Sequence, residues 1–353
     1  SLDWWWPNPI TKNTVSVPAR GEAAVDADKN IGLILHSSEE GDPLSVLEGL
    51  APDDLHTLII HGKSGRGDRQ TILDTNVASC IRLEQLHCLI LNGAIVSKQA
   101  IKKLTGMKSI ERLSIVSSQL DDEDVGQISQ MKGLKGLRVY GDVGNKGFEF
   151  ISTMENLEEL FSGGKYVGDE SIRYISTMKN LKTLTLAKEQ CTEKGLQYLS
   201  ALNSLETLKL LSFEIGPEGA GYLAKIKNLK LLAINRAISD QAMKQLKNMN
   251  WLTQLTLQSG FQQSGDKLTD AGLVSLNEMK SLEFVSIYYG RFTDDGLKQL
   301  SGLTNLKRLE MPNTTLSEEA YQYLQKVLPD LERMEFRNFG SMQDKIEEVK
   351  NLK

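Results

Sequence analysis

The sequence predicts an α/β solenoid shaped like a horseshoe, with about 12–13 short repeats of one strand and one helix. The strands form a concave parallel β-sheet and the helices its convex back. Three observations predict it. First, the pattern L-x-x-L-x-L recurs with its first apolar residue at Leu55, Leu86, Ile110, Leu134, Leu157, Leu181, Leu205, Leu229, Leu252, Leu282, Leu306 and Leu331. Subtracting neighbours gives 31, 24, 24, 23, 24, 24, 24, 23, 30, 24 and 25 residues, so the unit length is nearly constant and the two long gaps are insertions. A weaker unit precedes them at Leu33 and Leu35.

Second, the apolar period changes inside each unit. Leu306, Leu309 and Met311 are spaced as in a strand, and Leu316, Tyr321, Leu324 and Val327 then take the wider spacing of a turn and helix. Leu181, Leu184 and Leu186, then Cys191, then Leu196, Leu199 and Leu202 repeat the scheme. Third, a capping residue stands between the two periods: Ser97, Thr192, Ser239, Thr269, Thr293 and Ser317, with Gly216-Pro217 as a variant. Its hydroxyl accepts from an orphan amide of the first helical turn, and Pro217 at the first helical position has no amide to lose.

A single unit of this size cannot bury its leucines alone, so residues 30–336 read as one stacked array. Its two ends expose sheet edge and core, which assigns residues 1–29 to an N-terminal extension and cap and residues 337–353 to a C-terminal cap, where Met342, Ile346 and Val349 fit a short helix.

These features resemble the leucine-rich-repeat superfamily. Within it, Leu268-Thr-Asp-Ala-Gly-Leu273, Phe292-Thr-Asp-Asp-Gly-Leu297 and Cys191-Thr-Glu-Lys-Gly-Leu196 are similar to the T-D-x-G-L segments of many bacterial members. The resemblance implies a bacterial source and a protein-binding role. One departure is clear: where that superfamily usually places a buried Asn or Cys after the strand, this chain has Ala94, Asp142, Phe213, Gly260 and Gly290 among others. The flanking cysteine caps of extracellular animal members are absent as well.

Composition narrows the function classes. Forty-one basic and forty-six acidic residues give a net charge of −5, which does not suit a surface built to neutralise nucleic-acid phosphates. Three cysteines cannot all pair, so no disulfide framework is expected. The chain starts Ser1-Leu2-Asp3 without an apolar leader, which fits either a processed or a leaderless protein and leaves the compartment open. No phosphate loop, G-x-S-x-G or H-E-x-x-H is found, and an open sheet offers no sheltered pocket, so neither catalysis nor a cofactor is expected.

Some isolated features invite narrower readings. Trp4-Trp5-Trp6 can stack on a glycan or sit at a membrane surface, but plugging the first repeat's core is the simpler role. The long gaps place insertions at 62–71 and 259–267, and the first contains the integrin tripeptide Arg66-Gly67-Asp68 in a Gly-rich context. All four histidines lie early. His36 and His61 share one repeat position and His56 and His87 another, so each pair falls on adjacent rungs about 5 Å apart, which suits a shared metal or a pH-sensitive surface, though each supplies only two ligands. Asn313-Thr314-Thr315 is a lone sequon.

The inner wall is the leading site. In L-x-x-L-x-L the leucines point inward and the intervening positions face the open side. Those columns nominate Arg138, Tyr140, Phe161, Lys209, Leu211, Arg236, Phe284, Tyr288, Tyr289 and Arg308, with Phe213 and Arg291 just beyond strand ends. Aromatics and arginines at water-facing positions are the residue types that concentrate binding energy. The expected function is a non-enzymatic scaffold that binds a folded protein across its concave face, as a bacterial effector or an immunity or inhibitor protein. The alternative is an extracellular or cell-surface adhesion module that binds glycan or a surface receptor.

Overall fold

The computed structural model describes residues 14–18, 32–36, 47, 50–51, 53–61, 71–72, 79–92, 95–117, 119–187, 190–236, 238–258, 268–337 and 340–341. Trp4–Trp6, Arg66–Asp68, the insertions except Thr71, and Met342, Ile346 and Val349 lie outside these residues. The chain divides into two compact units, Ser1–Leu181 and Lys182–Lys353, both built from the same repeat.

In the first unit the strands β1 (Thr14–Pro18), β2 (Gly32–His36), β3 (Thr57–His61), β5 (Cys88–Asn92), β7 (Arg112–Val116), β8 (Gly136–Tyr140) and β9 (Glu159–Gly163) pair in that order, each parallel to the next. Two short strands, β4 (Thr71–Ile72) and β6 (Ile95–Val96), pair with each other in a second ladder. In the second unit β10 (Thr183–Ala187), β11 (Thr207–Leu211), β12 (Leu231–Asn235), β13 (Gln254–Gln258), β14 (Phe284–Tyr288), β15 (Arg308–Met311) and β16 (Arg333–Phe336) form a parallel ladder, closed by the antiparallel β17 (Gly340–Ser341).

Register is the organising fact. Leu208 pairs with Leu232 and Leu232 with Leu255, so each apolar repeat position becomes a column of fully buried leucines. The alternate positions, such as Thr207 and Lys209, face the open side of the sheet and are only half-buried. Helices return the chain behind the leucines. Ser97, Thr192, Ser239, Thr269, Thr293 and Ser317 each cap one through the side-chain hydroxyl, and Gly216 precedes Pro217 at the first helical position. Asp121 caps a further helix with a reciprocal bond from Asp124, a device the hydroxyl pattern did not reveal.

The T-D-x-G-L segment has a physical reading in this geometry. Its Thr caps its own helix, while its acid reaches forward to the next repeat. Asp240 accepts from the Thr269 amide at 2.9 Å and hydroxyl at 2.6 Å, and Asp270 accepts from the Thr293 amide at 3.0 Å and hydroxyl at 2.6 Å. Asp294 accepts from the Ser317 amide at 3.1 Å, and Glu193 from the amides of Gly216 and Gly219. In the first unit Asp122 accepts from the Gly144 amide at 2.6 Å. The motif's Gly makes room for the preceding repeat's acid: a Cβ at Gly272 would lie 2.5 Å from Asp240 Oδ1, and one at Gly296 would overlap the Asp270 carboxylate.

Asparagines are also used in a ladder, although not after the strand. Asn156 and Asn180 donate their side-chain amides to the carbonyls of Lys132 and Glu155 at 2.9 and 2.8 Å, and Asn305 donates to Lys280 at 2.9 Å. Each sits just before the first leucine of its repeat and ties that turn to the one before. Trp251 replaces the amide with its indole N–H, donated to Ile226 at 3.0 Å.

Two stability outcomes follow. Leu232→Ala leaves a cavity in a column with zero exposure and is expected to cost about 2–5 kcal/mol in denaturant unfolding. Gly296→Ala is expected to cost about 1–3 kcal/mol by overpacking, and most of that loss should vanish in an Asp270→Ala background, measured as a double-mutant cycle. Strict additivity would mean that the Gly and the forward-reaching acid are unrelated.

Candidate protein-interaction faces

The open face of each sheet carries three columns, set by the first, third and fifth residues of every strand. In the first unit the early middle column is apolar: Ile59 and Ile90 pack with Cys88 in a buried cluster, and Ile34 lies against it. Cys80, Cys88 and Cys191 are all buried and form no disulfide, and burial pushes the thiols of Cys80 and Cys88 up to about 12, so neither is a thiolate at neutral pH.

The middle of that unit is charged. Arg112 and Glu159 form an ion pair at 2.8 Å although β8 lies between their strands. Gly136 occupies the rung between them and presents no side chain, so the two longer residues meet across it. Arg138 takes the next open position of β8, between Ser114 and Phe161 in register. Its guanidinium carbon stands 4.4 Å from the Phe161 ring centroid, its Nε is buried without a hydrogen-bond partner, and burial lowers its pKa from the ordinary arginine value. Tyr140, two residues on, is 39% exposed.

In the second unit Lys209 lies between Thr185 and Ala233, and burial lowers its pKa. Arg236 is exposed and pairs with Glu214 at 3.1 Å. Phe284 leads β14, with the Arg308 guanidinium 5.1 Å from its ring, and Arg308 also pairs with Glu310 on its own strand. Arg333 and Glu335 repeat that pairing one rung on, at 3.0 Å, so arginine stacks on arginine and glutamate on glutamate. Tyr288 ends β14 opposite Gln258, and its ring lies 6.4 Å from that of Tyr289. Arg291 is exposed beyond them.

Three of the residues expected on this face are not available to a partner. Phe161 is 4% exposed because Arg138 and the neighbouring strands cover it, and Leu211 is 5% exposed at the end of β11. Phe213 is 1% exposed and belongs to the core: Ser212 adopts φ +64°, which turns the chain after the strand and ends the alternation of faces from which the exposure was inferred. Tyr289 holds the equivalent position after β14 and the same φ of +64°. A bulky residue rarely adopts this left-handed conformation, which costs about 1–3 kcal/mol. Nothing in the residue pattern announces it.

The residues that lead the strands form a separate stack at one edge of each sheet. In the second unit Lys182, Glu206, Lys230, Thr253, Glu283, Lys307 and Glu332 succeed one another, each donating its amide to the carbonyl before it from Glu206 onward. Lys230 pairs with Glu206 at 2.9 Å and Lys307 with Glu283 at 2.8 Å. The first unit has a stack of the same kind, in which His56 and His87 are followed by Glu111 and Lys135, which pair at 2.8 Å. Alternating signs avoid like charges on adjacent rungs.

The two histidines meet as their shared repeat position implies: the rings stack 4.5 Å apart and 12° from parallel. Among the described residues no group of three potential metal ligands forms. Burial, then the neighbouring His87, lowers the His56 pKa from its ordinary value, with Arg112 acting in the same direction and Glu111 opposing. A depressed folded-state pKa gives stability that is complete above the unfolded value of about 6.5 and is lost as the pH falls through the folded value. The melting temperature should therefore drop between pH 7 and 5, and His56→Gln should flatten that slope; an unchanged slope would remove His56 as its cause.

No family model and no curated protein matches the chain. Among solved structures it is similar to an internalin from Listeria monocytogenes, at 15% identity and TM-score 0.48, with 89% of this chain and 88% of that one covered. It is also similar to a leucine-rich-repeat protein from Leptospira interrogans, at 14% identity and TM-score 0.37, with 87% and 89% covered. Among the described residues no helix is long and apolar enough to cross a membrane. Repeats of about 24 residues, five-residue parallel strands with leucines on one face, and helices returning behind them show that the chain folds as a leucine-rich-repeat solenoid.

Proposed function

We propose that the protein is a non-enzymatic interaction scaffold that binds a folded protein partner with the open faces of its sheets, as a bacterial effector or an immunity or inhibitor protein. The observation that carries this reading is Tyr289. Its left-handed backbone disfavours any residue with a Cβ, yet the position holds a large aromatic beside a second one, Tyr288. Strain of that kind persists where a side chain must be presented in a fixed place. Arg236, Arg291 and Arg308 supply further exposed side chains of the type that dominates protein interfaces.

The mechanism is preorganisation. Strands bonded on both sides hold these side chains before a partner arrives, so association gives up less conformational freedom than a loop surface would. The strand-leading edge contributes less, because its charges are already paired within the chain.

The test is affinity capture from lysates of the source cell and its neighbours, with wild-type protein and the Tyr288→Ala/Tyr289→Ala variant in parallel, read by mass spectrometry. One folded protein should be retained by wild type and bound at least tenfold more weakly by the variant. Tyr289→Gly relieves the backbone strain, so its melting temperature should equal or exceed that of wild type while binding is still lost. A large stability loss in both variants would make the tyrosines structural and the interface reading wrong. Retention on immobilised glycans with no protein captured would favour the surface-adhesion alternative.

A further inference from the structure

Four arginines stand on the open faces at strand positions: Arg112, Arg138, Arg308 and Arg333. Three have a carboxylate of their own chain, Glu159, Glu310 and Glu335 respectively. Among the described residues Arg138 has none. There its guanidinium stacks on the face of Phe161 at 4.4 Å, and its Nε is buried with no acceptor. Burial lowers its pKa from the ordinary arginine value.

This is an unfavourable place for a cation. A partly buried guanidinium without a counter-charge loses hydration and gains little in return, and an apolar side chain of similar length would fill the same space over Phe161 without that loss. The chain shows elsewhere that it can supply the missing acid, since Arg112 draws Glu159 from two strands away. At Arg138 the neighbours leave the site accessible instead. Ser114 flanks it on one side, and Gly163 lies opposite Tyr140 on the next strand. Tyr140, two residues further along the same face of β8, is exposed and offers an aromatic ring and a hydroxyl.

We infer that Arg138, with Tyr140 beside it, is the anchor for an Asp or Glu side chain of a protein partner, which supplies the counter-charge that this chain withholds. The inference rests on the scaffold reading and specifies its chemistry in the first unit. A planar guanidinium matches a carboxylate with two parallel hydrogen bonds. A phosphate of about two negative charges is bound by clusters of arginines, and here the nearest other arginine, Arg112, is already engaged by Glu159. Nucleic acid is disfavoured for the same reason and by the chain's net charge of −5.

The test uses the full chain and a display library of a small three-helix protein with one randomised surface. Binders selected on wild type and aligned by their randomised positions should share an Asp or Glu, and Arg138→Gln, verified as folded by circular dichroism, should not enrich it. For a purified binder, changing that acid to its amide should weaken binding at least tenfold on wild type and by less than threefold on Arg138→Gln. Arg138→Met should melt at or above the wild-type temperature, because it removes an unpaired charge and keeps the cover over Phe161. Binders with no shared acid, or an acid whose loss is felt equally by both proteins, would overturn the inference and leave the scaffold reading standing. Destabilisation of Arg138→Met without coupling to the binder's acid would make Arg138 a structural clamp. Failure of the library to yield any binder would count against the scaffold reading itself.

Discussion

Repeats of 23–25 residues succeed one another along most of this chain, so a residue and its counterpart in the next repeat lie on adjacent rungs of a parallel ladder about 4.8 Å apart. That constraint decides which side chains the fold tolerates. Leucines can stack on leucines without limit, and the columns through Leu208, Leu232 and Leu255 are buried throughout. Charges of one sign are disfavoured in such a stack unless each finds relief. At the strand-leading edge the relief is alternation, as in Glu206, Lys230 and Glu283, Lys307. On β15 and β16 it is a pair within each strand, which lets arginine lie on arginine.

The candidate sites are the places where this alternation is left open. The His56–His87 stack places two rings on adjacent rungs, where burial and the neighbouring His87 both disfavour a charge on His56. Arg138 is a cation in the first unit's middle column, whose neighbouring members Ile59, Ile90, Ser114 and Phe161 are apolar or hydroxylated. Tyr289 departs in its backbone rather than its charge.

The fold was readable from residues alone because the signals for strand, cap and helix agree in many of the repeats. Ser239, Thr269 and Ser317 were identified as caps by position and bond as such. The open face was readable only in part. Alternation assigns Lys209 and Tyr288 correctly, but it fails once the chain leaves extended backbone, and so it misplaced Phe213 after the left-handed Ser212. Phe161 was misjudged for a different reason: its position was right, but its cover comes from Arg138 on the neighbouring strand. The pairing of Arg112 with Glu159 across Gly136 becomes apparent only when the repeats are aligned as columns and read sideways.

Where an acid follows the cap it points forward, with Asp240 serving Thr269 and Asp270 serving Thr293, while Gly272 and Gly296 yield space to the acid of the repeat behind. A repeat therefore holds half of two contracts and the whole of none. Cut at the usual boundary, it would carry an acid with no recipient and a glycine with nothing to accommodate. The natural module of exchange in this chain, for duplication or for grafting, is the seam between two repeats rather than the repeat itself.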